Sequence, residues 1–330
     1  MQKTRPLIRL GIKLVVSAGL LGFLFGKISI SDIFNLVRTL DRRAVAAAVG
    51  VFFASNLLGA LQWHLLLSSS GIRLSFGRSF RFYFVGLFFN NFLPANIGGD
   101  AVKVYNVTRI GSSVYQVVAV TLLDRLIGIF ALCLLASVAT LILLGSPHEL
   151  GSLWLYLVIF LGCMTPALGF YFFDPLGRLL RGFIGLIRPL SFDKRGAAIL
   201  DQMGQFKSRR LFVMKLILLS LVIQSLRITT HLLVGISLGI QVEATMALAF
   251  FVFVPLLSLA MIPPITINGL GVREALGILL FAQVGIARTS AFTLEFLTYL
   301  VAVAVSLLGF VFFLARRDAL REPKADSASI

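Results

Sequence analysis

Six apolar runs, each close to the length that crosses a lipid bilayer, constrain the fold of this chain more than any other feature. A transmembrane helix needs about 20 consecutive apolar residues, and only helices or closed barrels satisfy a backbone in lipid. Barrel strands would appear as short alternating segments, which this sequence does not contain. We therefore predict an all-α, polytopic membrane protein with full spans at 8–28, 44–67, 120–145, 152–173, 211–235 and 290–314.

The composition agrees with this class and excludes several functions. The chain is 58% hydrophobic, only 13% of its residues are charged, and its formal net charge is +16. Lysine and arginine lie in short segments between apolar runs, so the charge indicates topology and contact with anionic lipids, not nucleic-acid binding. The sequence contains no nucleotide-binding motif, and Cys133 and Cys163 lie in apolar runs as small core residues do. It predicts neither a cofactor nor a metal site.

We expect one transmembrane domain, 1–315, followed by a cytoplasmic tail, 316–330. The polar stretch 174–210 is too short to form an independent core, which needs about 50 residues. The run 8–28 follows a basic N-terminus and so resembles a signal peptide. Because no small-residue cleavage site follows it, we interpret this run as an uncleaved first helix.

Two further apolar regions, 79–116 and 244–287, are each interrupted by proline, glycine and polar residues. The interruptions lie at 90–100 and 263–274. A broken backbone survives at membrane depth only inside protein or beside a wet cavity. Two such segments in corresponding halves of a chain indicate a transport site at a repeat interface.

The distribution of lysine and arginine predicts which side of the membrane each connection occupies. The connection 174–210 and the tail are strongly basic and should be cytoplasmic, so both termini are expected inside. The connections 145–151 and 236–243 contain neither residue and should lie outside. The segment 27–43 stays open, because its basic residues argue against the exterior position that this threading requires.

This topology makes both interrupted regions re-entrant hairpins. The region 79–116 then begins and ends inside, whereas 244–287 begins and ends outside. The chain becomes an inverted repeat of two halves, 8–145 and 152–314, with about six full spans plus two opposed hairpins. Such a protein is often counted as having eight transmembrane helices.

Each interruption places a proline nine positions before a cation: Pro94 before Lys103, and Pro264 before Arg273. The glycines between them permit unusual backbone conformations and let a ligand approach closely. Each group of glycines also opens a short helix whose N-terminal amides favour an anion, such as a lipid phosphate. These glycines are Gly98, Gly99, Gly269 and Gly271.

The acidic residues of the two motifs each have two interpretations. Asp100 either caps a helix over 101–110 or pairs with a cation, such as Lys103 or Arg273, that also meets a phosphate. Glu274 either caps the second short helix or titrates.

Two further groups of polar residues lie within apolar runs. Asp124 and Arg125 are either an interfacial pair or residues of the protein interior. Gln224, Arg227 and His231 share one helical face, which predicts a polar stripe facing a cavity.

The remaining polar residues receive ordinary roles. We expect Asn56, Asn90 and Asn91 to hydrogen-bond between helices. His64 is expected to anchor its span at the interface. Glu295 lies near the outer end of its span, where water would solvate it.

Taken in order, the segments 89–94, 98–100, 124–125 and 264–274 resemble the flippase-like family, the transmembrane region of lysylphosphatidylglycerol synthases (multiple peptide resistance factor). The resemblance covers about 10–315. The chain departs from the family pattern at Lys103, where arginine is common, and at Asn268-Gly269, where the family usually has two glycines. Lysine keeps the charge but loses a two-point grip on phosphate.

The resemblance implies a lipid flippase or translocation factor that moves an anionic phospholipid or polyprenyl phosphate across a prokaryotic inner membrane. It implies no lysyl transfer, because in the synthases that chemistry belongs to a separate soluble domain. The expected partners are membrane lipids and a lipid-synthesis enzyme encoded nearby. The alternatives are a membrane-embedded glycosyl or lipid transferase and an accessory subunit of a lipid-synthesis enzyme.

We expect a protein that is not an enzyme, so no residue is assigned to catalysis. The candidate substrate-binding residues are Asn91, Pro94, Gly98, Gly99, Asp100, Lys103, Asp124, Arg125, Arg227, Pro264, Gly269, Gly271, Arg273 and Glu274.

Overall fold

The described part of the chain is helical and contains no strand. Several predicted features lie outside the described residues: the first span, the basic connection up to residue 192, Pro94 and Pro264. The computed structural model describes residues 30–92, 98–145, 152–172, 193–263 and 269–319.

Eleven α-helices, numbered here in chain order, make up the described residues, together with one 3-10 turn at Ala282–Val284. They are α1 (Ile30–Arg38), α2 (Arg42–Ser69), α3 (Phe76–Phe92), α4 (Gly98–Thr108), α5 (Val114–Leu144), α6 (Leu153–Phe172), α7 (Asp193–Gly204), α8 (Arg210–Ser237), α9 (Ala244–Ala260), α10 (Val272–Phe281) and α11 (Arg288–Ala319).

Four of these helices, α2, α5, α8 and α11, are long and apolar enough to cross a bilayer. They coincide with four predicted spans, although α5 begins at Val114 and not at 120. Helix α6 matches the predicted span 152–173, and its residues Trp154 and Val158 are more than 60% exposed. Such apolar side chains suit a surface that faces lipid. The structure thus confirms an all-α membrane protein.

One end of the bundle, which we call end A, is defined by contacts at the end of α2. Arg209, at the start of α8, donates a hydrogen bond to the carbonyl oxygen of Ser69 at 2.7 Å. Gln116, in the first turn of α5, donates to the carbonyl oxygen of Ser70. Helix α2 therefore ends at end A, where α5 and α8 begin.

The opposite end, end B, holds the start of α2 and the end of α8. The amide of Asp41 donates to the carbonyl oxygen of Ser237 at 3.1 Å. Ile33 of α1 packs against Phe292 near the start of α11. The described part of segment 27–43 thus lies at the same end as the connection after α8, despite its basic residues.

Helices α3 and α4 form a hairpin with both of its open ends at end A. His64, near the end of α2, is 3.0 Å from the hydroxyl of Ser79, which places the start of α3 at end A. The two limbs touch at glycines: a Cβ added to Gly86 would lie 2.8 Å from the carbonyl oxygen of Gly99. After α4, the chain enters α5 at the same end.

Helices α9 and α10 form a second hairpin, which opens at end B. Phe250 and Phe253 of α9 pack against Phe281 of α10, with ring centroids 4.8 and 5.6 Å apart. The chain enters this hairpin from the end of α8 and leaves it toward α11. The two hairpins therefore enter the bundle from opposite ends.

The return limbs α4 and α10 have 11 and 10 residues. At 1.5 Å per residue each is about 15 Å long, half of a hydrocarbon core of about 30 Å. Neither can cross a bilayer, which is the geometry expected of re-entrant hairpins.

Described residues that flank the two hairpin tips contact the middle of α11. Asn91, at the end of α3, donates to the hydroxyl of Ser306 at 2.7 Å. Arg273, at the start of α10, lies over the ring of Tyr299 at 5.5 Å. Tyr299 and Ser306 are two helical turns apart, or about 10 Å. The order span, hairpin, span thus occurs twice with opposite direction, as the inverted repeat predicts.

Gly309 is expected to be essential for seating the first hairpin. A Cβ at this position would collide with the backbone carbonyl of Phe84 and lie 3.0 Å from Cβ of Phe88. Because backbone cannot rotate away, Gly309→Ala should cost about 1–3 kcal/mol of unfolding free energy, measured by denaturation in detergent micelles. Gly50, a helical glycine with nothing within 4 Å, is the matched control. Equal stability of the two alanine variants would contradict this packing.

Candidate functional site

A cavity of about 990 Å³ lies between the two hairpins and the spans α2, α5, α8 and α11. It draws charged residues from both halves of the repeat. Its acidic, basic and histidine side chains are Asp100, Lys103, Asp124, Arg125, Arg227, His231, Arg273 and Glu295.

Asp100 lies at the centre of a three-membered ion cluster. Its Oδ1 is 2.7 Å from Nζ of Lys103, one turn later in α4. Its Oδ2 is 2.8 Å from both Nε and Nη2 of Arg125 in α5. The lysine side chain is 7% exposed, whereas that of Arg125 is 45% exposed and opens to the cavity. The structure therefore pairs Asp100 with Lys103, one of the two expected cations, and adds Arg125.

The capping interpretation of Asp100 is wrong. Helix α4 begins at Gly98 and not at 101, so Asp100 lies inside its first turn. The cap comes from the other limb of the hairpin, where Asn90 Oδ1 accepts the amide hydrogen of Gly99 at 2.7 Å. A local sequence pattern could not show this contact, because it depends on how the hairpin closes.

Lys103 also lies between two aromatic rings. Its ammonium group is 5.4 Å from the ring centre of Trp63 and 5.1 Å from that of Tyr83. Cations are attracted to the faces of aromatic rings, most strongly where water is excluded. The rings and the Asp100 carboxylate together compensate for burying this charge.

Asp124 belongs to a buried hydrogen-bond chain that joins three spans. Gln62 of α2 donates to Asp124 Oδ1 of α5 at 2.8 Å, and Ser220 of α8 donates to Gln62 Oε1 at 2.8 Å. With Arg125 on Asp100, this places the pair Asp124 and Arg125 in the interior and not at the interface. Gln62 was not among the predicted site residues, although a glutamine inside an apolar span indicates a polar contact between helices.

In the second motif, Glu274 caps its own helix. The amide of Gly271 donates to Glu274 Oε2 at 2.6 Å. Gly269 and Gly271 have φ angles of 76° and 86°, which residues with a Cβ rarely adopt. The amides of Gly99 and Gly271, which we expected to face an anion, are therefore occupied by Asn90 and Glu274.

Arg273 has a different environment from Lys103. Its guanidinium lies over Tyr299, and its Nε is 3.4 Å from the sulfur of Met261. Among the described residues, no carboxylate lies within ion-pair distance of it. Arg273 thus lines the cavity without a direct ion pair to any described carboxylate.

The polar stripe predicted on α8 faces the cavity. Gln224, Arg227 and His231 all line it, and Gln224 donates to the carbonyl oxygen of Gly128 on α5 at 3.1 Å. The described residues contain no group of three or more side chains that could hold a metal ion.

The expectation that water solvates Glu295 is wrong. Glu295 is 0% exposed, because α10 covers it with Gly277, where a Cβ would lie 2.7 Å from its Cγ. Its Oε2 lies 3.8 Å from Nε2 of His231. The burial of Glu295 depends on the return of a distant hairpin, which its position in the sequence does not reveal.

Two of the three asparagines bond to a different helix, whereas the third bonds within its own helix. Asn91 bonds to Ser306 on another helix, and Asn90 bonds across its hairpin, as expected. Asn56 instead donates to the carbonyl oxygen of Phe52 in its own helix at 2.8 Å, so an inter-helix bond through its amide nitrogen was the wrong expectation. Asn91, Gly98, Gly99, Gly269, Gly271 and Glu274 shape the hairpins without lining the cavity.

The rim of the cavity is apolar and exposed. Tyr105 of α4, Val114 and Leu122 of α5, and Ile262 after α9 all line it and are 45–58% exposed. These residues come from the lateral surface between the first hairpin, α5 and the tip of the second hairpin. The cavity therefore has a charged interior and an exposed apolar rim formed by α4, α5 and the end of the first limb of the second hairpin.

These features define a polytopic helical membrane protein with two opposed hairpins and a charged internal cavity. A model of the family described as the lysylphosphatidylglycerol synthase TM region matches residues 11–309. The chain belongs to this family. It is also similar to UPF0104 membrane protein PH1989 of Pyrococcus horikoshii, with 26% identity over 309 residues, or 87% of this chain and 91% of that protein.

Proposed function

We propose that this protein moves an anionic lipid between the leaflets of a membrane. The observation that carries the proposal is the convergence of four cations, Lys103, Arg125, Arg227 and Arg273, on one cavity of a membrane protein. Charges inside a membrane domain are costly and usually mark a pathway. The cavity contains three carboxyl groups, so an anionic ligand balances its charge.

The lateral rim favours a lipid over a soluble anion. A headgroup that enters past Leu122 and Ile262 reaches charged residues, while its acyl or prenyl tails stay among exposed apolar side chains. Tails that stay in the bilayer lose no hydrophobic stabilisation. The shared chemistry is a phosphate carried by a lipid, either a phospholipid or a polyprenyl phosphate.

We further propose alternating access between the two halves of the repeat. The cavity rim lies toward end A, whereas the packed rings of Phe250, Phe253 and Phe281 occupy the second hairpin toward end B. Rocking of one half against the other would exchange the open and closed ends. We place end A and both termini in the cytoplasm of a prokaryote, with the protein in its inner membrane beside an enzyme that makes its lipid.

A carrier fits the cavity better than a transferase. A transferase needs a free acid, base or nucleophile that a headgroup can reach. Glu295 is fully buried, and the other candidates are Asp100, Asp124 and Glu274. Each of these three other carboxylates already accepts a hydrogen bond from the protein. We therefore propose that the lipid leaves chemically unchanged.

Reconstitution into phosphatidylcholine vesicles tests this function. Labelled phosphatidylglycerol and labelled polyprenyl phosphate are compared in parallel. We expect at least one of them to reach the inner leaflet much faster than in protein-free vesicles. Labelled phosphatidylethanolamine, which is zwitterionic and has no net charge, serves as the control for net negative charge. Mass spectrometry of the recovered lipid should show no change in mass. Failure of both anionic lipids to move would contradict translocation, and a new lipid product after addition of an activated sugar donor would favour the transferase.

A further inference from the structure

Glu295 and His231 form a polar centre that the cation cluster does not explain. Glu295 is fully buried, and neither carboxylate oxygen has a hydrogen-bond partner among the described residues. An ionised carboxylate without donors is costly to bury. The group therefore needs either a proton on itself or a positive charge beside it.

The ring of His231 is oriented to supply that proton or charge. Its Nδ1 is 3.1 Å from the carbonyl oxygen of Arg227, and because a carbonyl only accepts, Nδ1 must carry a hydrogen. Nε2 then points toward Glu295 Oε2 at 3.8 Å. Without a further proton, a nitrogen lone pair would face a carboxylate. One proton, held on either partner, completes the pair.

The charged neighbours connect this pair to the cavity. Arg273 and Glu274 of α10 are the groups whose charges act on Glu295, and Arg273 also acts on His231. Arg227 lies one turn before His231 on α8. Glu274 is engaged with the amide of Gly271, which leaves Arg273 as the link.

A phosphate beside Arg273 would change the charge that the pair experiences. With the guanidinium charge balanced by the ligand, a positive charge or an added proton at His231 and Glu295 meets less repulsion. Coupling between two bound species is reciprocal, so a proton on the pair equally favours the phosphate.

We propose that the His231–Glu295 pair binds one proton together with each anionic headgroup, so that a pH difference drives lipid movement. This inference rests on the proposed function and adds its energy source. The proton comes from water in the open cavity and returns to water on the other side after the halves rock.

The leaflet distribution of the lipid at steady state tests the coupling and does not depend on how the protein is oriented in the vesicle. For one proton per lipid, each pH unit across the membrane supports up to about a tenfold leaflet ratio, equivalent to about 1.4 kcal/mol. We expect wild-type vesicles containing labelled phosphatidylglycerol to approach this ratio under a one-unit gradient, relative to protein-free vesicles. An ionophore that dissipates the gradient should return the ratio to its starting value.

Glu295→Gln keeps the shape of the side chain and removes the proton site. Whatever its rate, this variant should give the same leaflet ratio with and without a gradient. Glu243→Gln, at an exposed glutamate at end B, is the matched control and should respond as wild type does. If Glu295→Gln elutes as an aggregate, His231→Gln provides a second test. If both variants aggregate, the leaflet ratio of the wild-type protein under a gradient still tests the coupling.

Three outcomes would overturn the inference. If the wild-type protein moves the lipid but the leaflet ratio does not change with the pH gradient, the proposed proton coupling is wrong, while the proposed lipid translocation is retained. If Glu295→Gln responds to the gradient as wild type does, the proton site lies elsewhere. If wild type moves no lipid at all, the proposed function fails and the coupling fails with it.

Discussion

Replacing Asp100 by alanine is expected to destabilise this protein more than any other single change in the cavity. Lys103 is only 6% exposed, and its ammonium group would lose the carboxylate 2.7 Å away. Removing one partner of a buried ion pair typically costs about 3–5 kcal/mol, because the other charge stays buried without compensation. The measurement is the free energy of unfolding in mixed detergent micelles, with Asp201→Ala on an exposed aspartate of α7 as control.

A double variant distinguishes the loss of stability caused by an unpaired buried charge from a loss caused by disrupted packing. Asp100→Ala combined with Lys103→Met removes both buried charges and keeps an unbranched chain between Trp63 and Tyr83. We expect it to recover most of the lost stability, since an apolar replacement of a buried pair is often close to neutral. A single variant that is as stable as wild type would show that Lys103 reaches water and that the cluster is not buried.

Replacing Arg273 by alanine is expected to abolish most lipid movement while leaving the fold intact. Among the described residues this guanidinium has no carboxylate within ion-pair distance, so its removal breaks no direct buried ion pair. Loss of one charged contact to a buried phosphate costs about 2–4 kcal/mol, or a roughly 30- to 700-fold slower rate. The initial rate of labelled phosphatidylglycerol movement in vesicles is the measurement, with equal amounts of folded protein confirmed by gel filtration.

Two further variants make the Arg273 result specific. Arg273→Lys keeps the charge but not the planar two-point contact, so its rate should fall between those of alanine and wild type. Arg78→Ala removes an exposed cation of α3 near end A and should leave the rate unchanged. Equal loss in the Arg78 and Arg273 variants would mean that overall positive charge, and not the cavity, determines the rate.

The hairpins were predictable because helix breaks are local features of a sequence. Proline and glycine in the two motifs, together with the positions of lysine and arginine, were sufficient to predict two opposed re-entrant segments. The stripe of Gln224, Arg227 and His231 was predictable for a similar reason, since helical spacing alone puts these residues on one face.

The contacts within the cavity were not predictable in this way. Asp100 and Arg125 lie on different helices, and their pairing depends on how the first hairpin rests against α5. Glu295 looked accessible because of its position along α11, but α10 covers it. Capping by Asn90 likewise requires the closed hairpin. In each case tertiary packing decides between chemically reasonable partners.

The two hairpins share a backbone plan but differ in their electrostatics. Among the described residues, the cation of the first motif is paired with a carboxylate 2.7 Å away, whereas that of the second has none within ion-pair distance. Two identical inverted halves would make the inward-open and outward-open states equal in energy, because a two-fold rotation would relate them. If the protein alternates as proposed, unequal halves remove that degeneracy, so the resting population would favour one state and the ligand would have to supply the difference in free energy to reverse it. The electrostatic difference between the two halves would then determine the direction in which the proposed lipid movement proceeds.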